Sequence, residues 1–358
     1  LENAVLIGVV FPGDSPEEAE ESLFELRDLA KTAGANVRDT FVQHRRDIDP
    51  KTFIGKGKVE EIRTFLPEDG RLDLVILNHE ASPTQVRNLQ EALGVRVVTR
   101  TELILDIFAI HARTKISRLQ VELAQLEYQL PRIAGKGASM SRLGGGIGTR
   151  GPGEQQLEYD RRAIRKRIHL IREKLEEAAR DMETRRHHRV ENERKVGIVG
   201  YTNAGKSSLL NRLTRSDVLV EDRLFATLDT TTRRLWLSPD LTVTVTDTVG
   251  FIRDIPHSLI ESFRSTLMDT TLSDLLLHVV DASARDLDDR IAVVRDTLAA
   301  VSDREIPEIL CFNKIDRLSP EAVVELRMRH PTALFMSVKE NRNVDALRQT
   351  IHDRFPAR

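Results

Sequence analysis

The octapeptide Gly200–Tyr201–Thr202–Asn203–Ala204–Gly205–Lys206–Ser207 follows the apolar run Val196–Val199 and precedes a helical pattern at Ser208–Leu213. A strand, a Gly-x-x-x-x-Gly-Lys-Ser turn and a helix leave a chain few choices. The strand must deliver a tight loop onto a helix N-terminus, as it does in α/β proteins with a mostly parallel sheet. The glycines let backbone N–H groups wrap an anion, and the helix start adds favourable dipole charge. The group expected there is a nucleotide polyphosphate. Lys206 is placed to neutralise its β- and γ-phosphates, and Ser207 to offer its hydroxyl oxygen to Mg2+. Ser208, which opens the helix, completes the phosphate-binding set Gly200, Tyr201, Thr202, Asn203, Ala204, Gly205, Lys206, Ser207 and Ser208.

The phosphate loop does not choose between ATP and GTP. Asn313–Lys314–Ile315–Asp316, after the apolar run Ile309–Phe312, makes that choice. It sits at a strand end, where doubly wound sheets bind ligands. The Asp316 carboxylate can accept from both N1–H and the N2 amino group of guanine, and adenine lacks this donor pair. Asn313 can bond elsewhere on the base and hold neighbouring loops, and the stem of Lys314 can cover the ring. Ser337, Val338 and Lys339, after Ala333–Met336, are placed to offer backbone amides to the guanine O6.

Between these motifs, the alternating strand Leu241–Thr246 runs into Asp247, Thr248, Val249 and Gly250. Asp247 can reach Mg2+ through water, and the Gly250 amide can sense the γ-phosphate. Upstream lie Phe225, Ala226, Thr227, Leu228 and Asp229, before the strand Arg234–Leu237. Thr227 is the expected switch threonine closing on Mg2+. Lys206, Thr227 and Gly250 are thus the candidate catalytic groups. Ras-like enzymes carry a water-orienting Gln directly after Asp-x-x-Gly. Here that place is Phe251, so slow intrinsic turnover is expected. Asp281, closing the apolar run Asp274–Val280, reads as a strand end without a catalytic role. His257 and His278 read as structural.

The N-terminal stretch alternates strands (Ala4–Val10, Val37–Gln43, Leu72–Leu77, Val95–Val98) with helices (Glu17–Ala33, Lys58–Phe65, Thr84–Leu93), which indicates a small α/β domain. Then Ile116, Leu119, Leu123, Leu126 and Leu130 form a heptad seam, which Pro131 threatens to interrupt. A second seam holds Leu157, Ile164, Ile168, Ile171, Leu175 and Met182. Two seams predict an antiparallel helical hairpin. Its connecting loop, Arg132–Gly153, carries eight glycines and four basic residues without one carboxylate. That favours phosphate contact over a plain linker, with Arg142, Gly144, Gly145, Gly146 and Arg150 as candidate RNA contacts. The expected organisation is an N-terminal α/β domain (1–112), a hairpin with its basic loop (113–190) and a C-terminal P-loop domain (191–358).

The net charge of -2 argues neither for nor against a nucleic-acid partner. The single cysteine, Cys311, excludes an intramolecular disulfide and fits a reducing cytoplasm. No apolar stretch reaches the roughly 18 residues of a membrane span. The chain opens on Leu1 rather than Met, which suggests sequence missing from its start.

GYTNAGKS at Gly200–Ser207, FATLD at Phe225–Asp229, DTVGFIR at Asp247–Arg253 and NKID at Asn313–Asp316 together resemble the HflX GTPases, of the TrmE-Era-EngA-like superfamily. GKGKVEEI at Gly55–Ile62, the segment Arg113–Ile133 and RLGGGIGTRGPGEQQLEYDRR at Arg142–Arg162 extend the resemblance over nearly the whole chain. The family's DPTTR is here Asp229–Thr230–Thr231–Thr232–Arg233. The resemblance implies GTP/GDP and Mg2+ as ligands, and a monomer that binds the 50S subunit and splits 70S ribosomes under stress. It implies a hairpin loop that reaches ribosomal RNA and a location in the cytoplasm, at the ribosome or peripheral to a membrane. Asn-containing phosphate loops also suggest that Asn203 helps hold K+. Two competing readings are an ATP-driven RNA-remodelling enzyme and a signalling GTPase whose hairpin binds protein. For the first, Gly55–Lys56–Gly57–Lys58 is the nearest thing to a second phosphate loop, and it lacks the full spacing.

Overall fold

The computed structural model describes residues 2–65, 71–140, 152–187, 194–216, 224–254, 256–263, 267, 270–302 and 304–355. Side chains are described at all of these except 134–140, 152–156, 182–187, 257, 258 and 260. The chain forms two compact units, one of residues 1–110 with 118–177 and one of residues 111–117 with 178–358.

The first unit holds a four-stranded parallel sheet in the order β2-β1-β3-β4, made of β1 (Glu2–Val10), β2 (Ala35–His44), β3 (Leu74–Leu77) and β4 (Arg96–Thr99). β1 is buried from Asn3 onward, as an apolar central strand should be. Helix α1 (Pro16–Thr32) is capped by Ser15, whose side chain accepts from the Glu18 amide, and Gly34 follows it at φ 87°. α2 spans Lys56–Thr64. α3 (Pro83–Leu93) starts with a reciprocal Ser82–Gln85 capping box and stops at left-handed Gly94. α4 (Arg100–His111) is absent from the sequence expectations. Leu103, Ile104, Leu105, Ile107 and Phe108 are all buried, while the exposed side carries Ile110 as well as Asp106, so polar residues mark that face only weakly.

α5 (Lys115–Met140) and α6 (Pro152–His187) carry the two seams. Leu123, Ile168 and Ile171 are buried together, with Leu119, Leu126, Leu130, Ile164 and Leu175 packed against them. Ion pairs Arg167–Glu122 and Arg172–Glu127 flank this core. The expectation that the loop begins at Arg132 is corrected, because the helical backbone continues through Pro131 to Met140. Proline forfeits one backbone bond there. Arg132 lies over the Tyr128 ring, 3.4 Å from its centroid, and pairs with Glu80, which supports the turn around it.

The second unit is a six-stranded sheet in the order β10-β9-β8-β5-β7-β6. Its strands are β5 (Arg194–Val199), β6 (Thr231–Ser238), β7 (Leu241–Asp247), β8 (Leu275–Asp281), β9 (Glu308–Asn313) and β10 (Leu334–Phe335). Only β6 runs antiparallel, along β7. Helices α7 (Lys206–Thr214), α8 (His257–Ser262), α9 (Leu287–Val301), α10 (Pro320–Arg329) and α11 (Val344–Arg354) complete it. Leu209, Leu210, Val243, Leu277, Cys311, Leu347 and Ile351 lie in one core cluster. This fixes the C-terminal ends of β5, β7, β8 and β9, where the motifs sit. The expected α/β class with a mostly parallel sheet is borne out.

In the first unit Arg100 and Glu25 form a buried ion pair, and Arg100 also donates to Asn78 Oδ1 at 3.0 Å. Glu25→Ala leaves an uncompensated buried guanidinium and should cost about 3–5 kcal/mol, whereas replacing both partners by Met should cost far less. Urea unfolding midpoints of the two variants test this.

Candidate functional site

β5 delivers the chain to Gly200, whose φ of 150° is open only to glycine and whose missing Cβ would collide with the Val279 carbonyl on β8. The loop then turns through left-handed Asn203 and Gly205 into α7, whose N-cap Gly205 supplies no side-chain cap. The first-turn amides of α7 therefore face the loop cavity without a side-chain acceptor at the cap.

Lys206 is 6% exposed, and its Nζ donates to the carbonyls of Gly200 (3.1 Å) and Tyr201 (2.9 Å). Burial pushes its pKa down to about 8, against the attraction of Asp247 and with help from Lys314. Ser207 Oγ donates to Asp247 Oδ2 at 2.6 Å and lies 2.7 Å from Thr227 Oγ1. Burial raises the Asp247 pKa, although Lys206 and Ser207 oppose it. Asp247 Oδ1 is buried with no hydrogen-bond partner among the described residues. Thr248 Oγ1 donates back to Ile198 O at 2.8 Å, which ties this segment to β5.

Gly250 lies against Thr202 and Lys206. Phe251 forms a bridge with Tyr201: Thr202 N donates to Phe251 O (2.7 Å) and Phe251 N to Gly200 O (3.2 Å). Its ring is 1% exposed and packs among Val199, Leu267, Leu276 and Val294. The residue at the glutamine position therefore turns its side chain into the core and offers only backbone. Arg253 N donates to Tyr201 Oη at 2.8 Å, and the Arg253 guanidinium pairs with Asp286 and Asp289.

The base-side motif is latched onto the phosphate loop. Asn313 Nδ2 donates to Ala204 O (2.9 Å), while its Oδ1 accepts from Val338 N (3.0 Å). Lys314 Nζ donates to Asn203 O (2.7 Å). Asp316 Oδ1 accepts from Ser337 Oγ at 2.5 Å, and that hydroxyl holds the carboxyl below its usual range. Ser337 N is taken by Arg342 O, so Lys339 carries the remaining amide of Ser337–Lys339 not engaged in these two bonds. A cavity of about 740 Å3 lies here, lined in part by Asn203, Asn313, Lys314, Asp316 and Lys339, and Thr202, Ser208, Ala226 and Thr227 line a smaller one beside it.

The structure thus gathers Gly200–Ser208, Thr227, Asp247–Gly250, Asn313–Asp316 and Ser337–Lys339 at one end of the sheet. Leu228 and Ile315 are buried core residues, and Phe225, at φ 56°, is buried too. Asp229 turns elsewhere. It accepts from the amides of Arg113 (3.0 Å) and Thr114 (3.1 Å) and from the Thr114 hydroxyl (2.7 Å). The candidate RNA contacts Arg142, Gly144, Gly145, Gly146 and Arg150 lie outside the described residues. His278 is buried, with Nδ1 3.1 Å from Glu308. Sequence reasoning missed Asp281, whose Oδ2 lies 2.8 Å from Lys314 Nζ. Its only sequence signal is a carboxylate closing an apolar strand, and that pattern is common.

Lys206 binds its proton less tightly when folded than when unfolded. Its charge therefore destabilises the ligand-free fold fully below pH 8, and the penalty fades as pH rises toward the ordinary lysine value. The ligand-free parent should therefore gain melting temperature as pH rises from 8 toward the ordinary lysine value, and Lys206→Met, which has no ammonium to discharge, should lose that rise. Melting curves across that range measure it.

Residues 20–109, 111–189 and 195–314 match families described as GTP-binding GTPase N-terminal, GTP-binding GTPase Middle Region and 50S ribosome-binding GTPase. The chain is 51% identical to GTPase HflX of Caldanaerobacter subterraneus subsp. tengcongensis, covering 98% of this chain and 80% of that protein. It is 40% identical to GTPase HflX of Escherichia coli, covering 99% and 83%. A GTP-binding protein from Sulfolobus solfataricus, solved in complex with GDP, shares the fold at 23% identity and a TM-score of 0.52, over 99% of this chain and 98% of that one.

Proposed function

This chain belongs to the HflX family of GTPases and binds and hydrolyses GTP, and from that premise we propose that it is a cytoplasmic switch that docks on the 50S subunit and splits or rescues 70S ribosomes under stress. The observation that carries the ribosomal part is the match of residues 195–314 to a 50S ribosome-binding GTPase, the same stretch that holds the phosphate loop.

The switch chemistry follows from the side chains. Lys206 and the amides of Gly200–Ser208 would hold the β- and γ-phosphates. Ser207 and Thr227 would hold Mg2+ directly and Asp247 through water. Their hard oxygen donors suit that ion, and Asp247 Oδ1, without a hydrogen-bond partner among the described residues, fits such a role. When bound, Mg2+ neutralises charge on the phosphate oxygens. The Gly250 amide would report the γ-phosphate. Asp316, oriented by the Ser337 hydroxyl, would read guanine N1–H and N2, with the Lys339 amide toward O6. Phe251 cannot order the attacking water, so turnover is slow alone and faster on the ribosome. Asn203 would help hold K+, which supplies positive charge beside the phosphates.

Asp316→Asn reverses the donor–acceptor pattern at the base. It should weaken GTP binding about a hundredfold, given two lost bonds to a charged group, and favour xanthosine nucleotides. Unchanged GTP affinity in a competition titration would remove Asp316 from guanine reading.

For the ribosomal reading, 50S subunits should accelerate phosphate release severalfold over free protein. Neutralising Arg142 and Arg150 should weaken 50S binding and flatten its salt dependence, because fewer counterions are released. Parallel salt slopes with equal affinity would return the basic loop to the status of a spacer.

A further inference from the structure

Asp281 belongs to none of the nucleotide motifs, yet it is wired into two of them. It ends β8, the strand between β5 and β9. Its Oδ1 accepts from Ser283 N (3.0 Å) and Ser283 Oγ (2.6 Å), which fixes the carboxylate orientation. Its Oδ2 faces the Lys314 ammonium at 2.8 Å, and both side chains are 15% exposed. The same ammonium donates to the Asn203 carbonyl of the phosphate loop at 2.7 Å. Burial alone would raise the Asp281 pKa. The Lys314 charge and the hydrogen bonds from Lys314 and Ser283 outweigh it and hold the carboxyl below its usual range.

Lys314 sits at φ 63°, a conformation that lysine adopts rarely. Its ammonium is gripped from two sides, by Asp281 and by the Asn203 carbonyl. With the ammonium held by Asp281 and Asn203, Lys314 lines the cavity that Asp316 also lines.

We propose that Asp281 is a positioning residue for bound guanine nucleotide: it anchors the Lys314 ammonium against the Asn203 carbonyl, so that the lysine stem covers the base and the base-reading and phosphate loops open together or not at all. The inference rests on the guanine reading of Asn313–Asp316. Asp281 touches no part of the nucleotide and acts through Lys314. Its contribution is therefore to retention of the ligand, and it is blind to the exocyclic amino group that Asp316 reads.

The test is stopped-flow release of fluorescently labelled GDP and IDP from the full chain. Asp281→Asn keeps the shape and the Ser283 contact but removes the charge. It should speed release of both nucleotides by about tenfold, the scale of one charge-assisted hydrogen bond. Lys314→Met keeps an apolar stem without the ammonium and should speed release similarly. The double variant should release no faster than Lys314→Met alone, because the Lys314 ammonium through which Asp281 acts is already gone. Ser283→Ala, a milder change, should speed release less and in the same direction. Additive effects in the double variant, a parental rate in Asp281→Asn, or a loss confined to GDP would each overturn the proposal while leaving guanine binding intact. Failure of the parent to prefer GDP over ADP would overturn the guanine reading and this inference with it.

Discussion

A buried ammonium organises the C-terminal unit. Lys206 is almost wholly out of water, and a bare charge there would be prohibitively costly. The carbonyls of Gly200 and Tyr201 replace its hydration. They converge only because Gly200 takes a backbone angle closed to other residues and presses directly on β8. Asp247 on β7 supplies the countercharge, and it too is buried and held by Ser207. The phosphate loop, the end of β7 and Thr227 are therefore one electrostatic object.

That object is braced from two further sides. Asn313 and Lys314 hold consecutive phosphate-loop carbonyls, while Asn313 also takes the Val338 amide. The two Asn313 bonds are buried, and leaving a buried partner unpaired costs roughly 1–3 kcal/mol. Three loops at one end of the sheet thus favour a single arrangement. On the other flank, the backbone bridge between Tyr201 and Phe251 ties the segment after Gly250 to the phosphate loop. A glutamine in place of Phe251 would have to leave the cluster around Val199 and Leu276 before it could reach a water.

Much of this was legible before any coordinates. The glycine spacing and Lys206 demand a strand, a loop and a helix start. Asp316 demands a base with two donors. Alternating patterns marked β7, and two heptad seams marked helices that do pack seam on seam. What failed did so for identifiable reasons. α4 exposes Ile110 on the same side as Asp106, which blurs its period. Pro131 reads as a breaker, yet neighbouring contacts keep α5 helical around it.

The sequence by itself determined the chemical inventory of the site and the α/β class, because motif spacing and hydrophobic period are local properties of the chain. Only the tertiary structure decided which inventory members work together. The Lys314–Asp281 and Lys314–Asn203 contacts join segments far apart in sequence. The retraction of Phe251 depends on a cavity built by other strands and helices. The bonding of Asp229 to Thr114 depends on a partner more than 100 positions away. A side chain's direction is settled by the packing and unpaired polar groups it meets, and those belong to the fold rather than to any one stretch of chain.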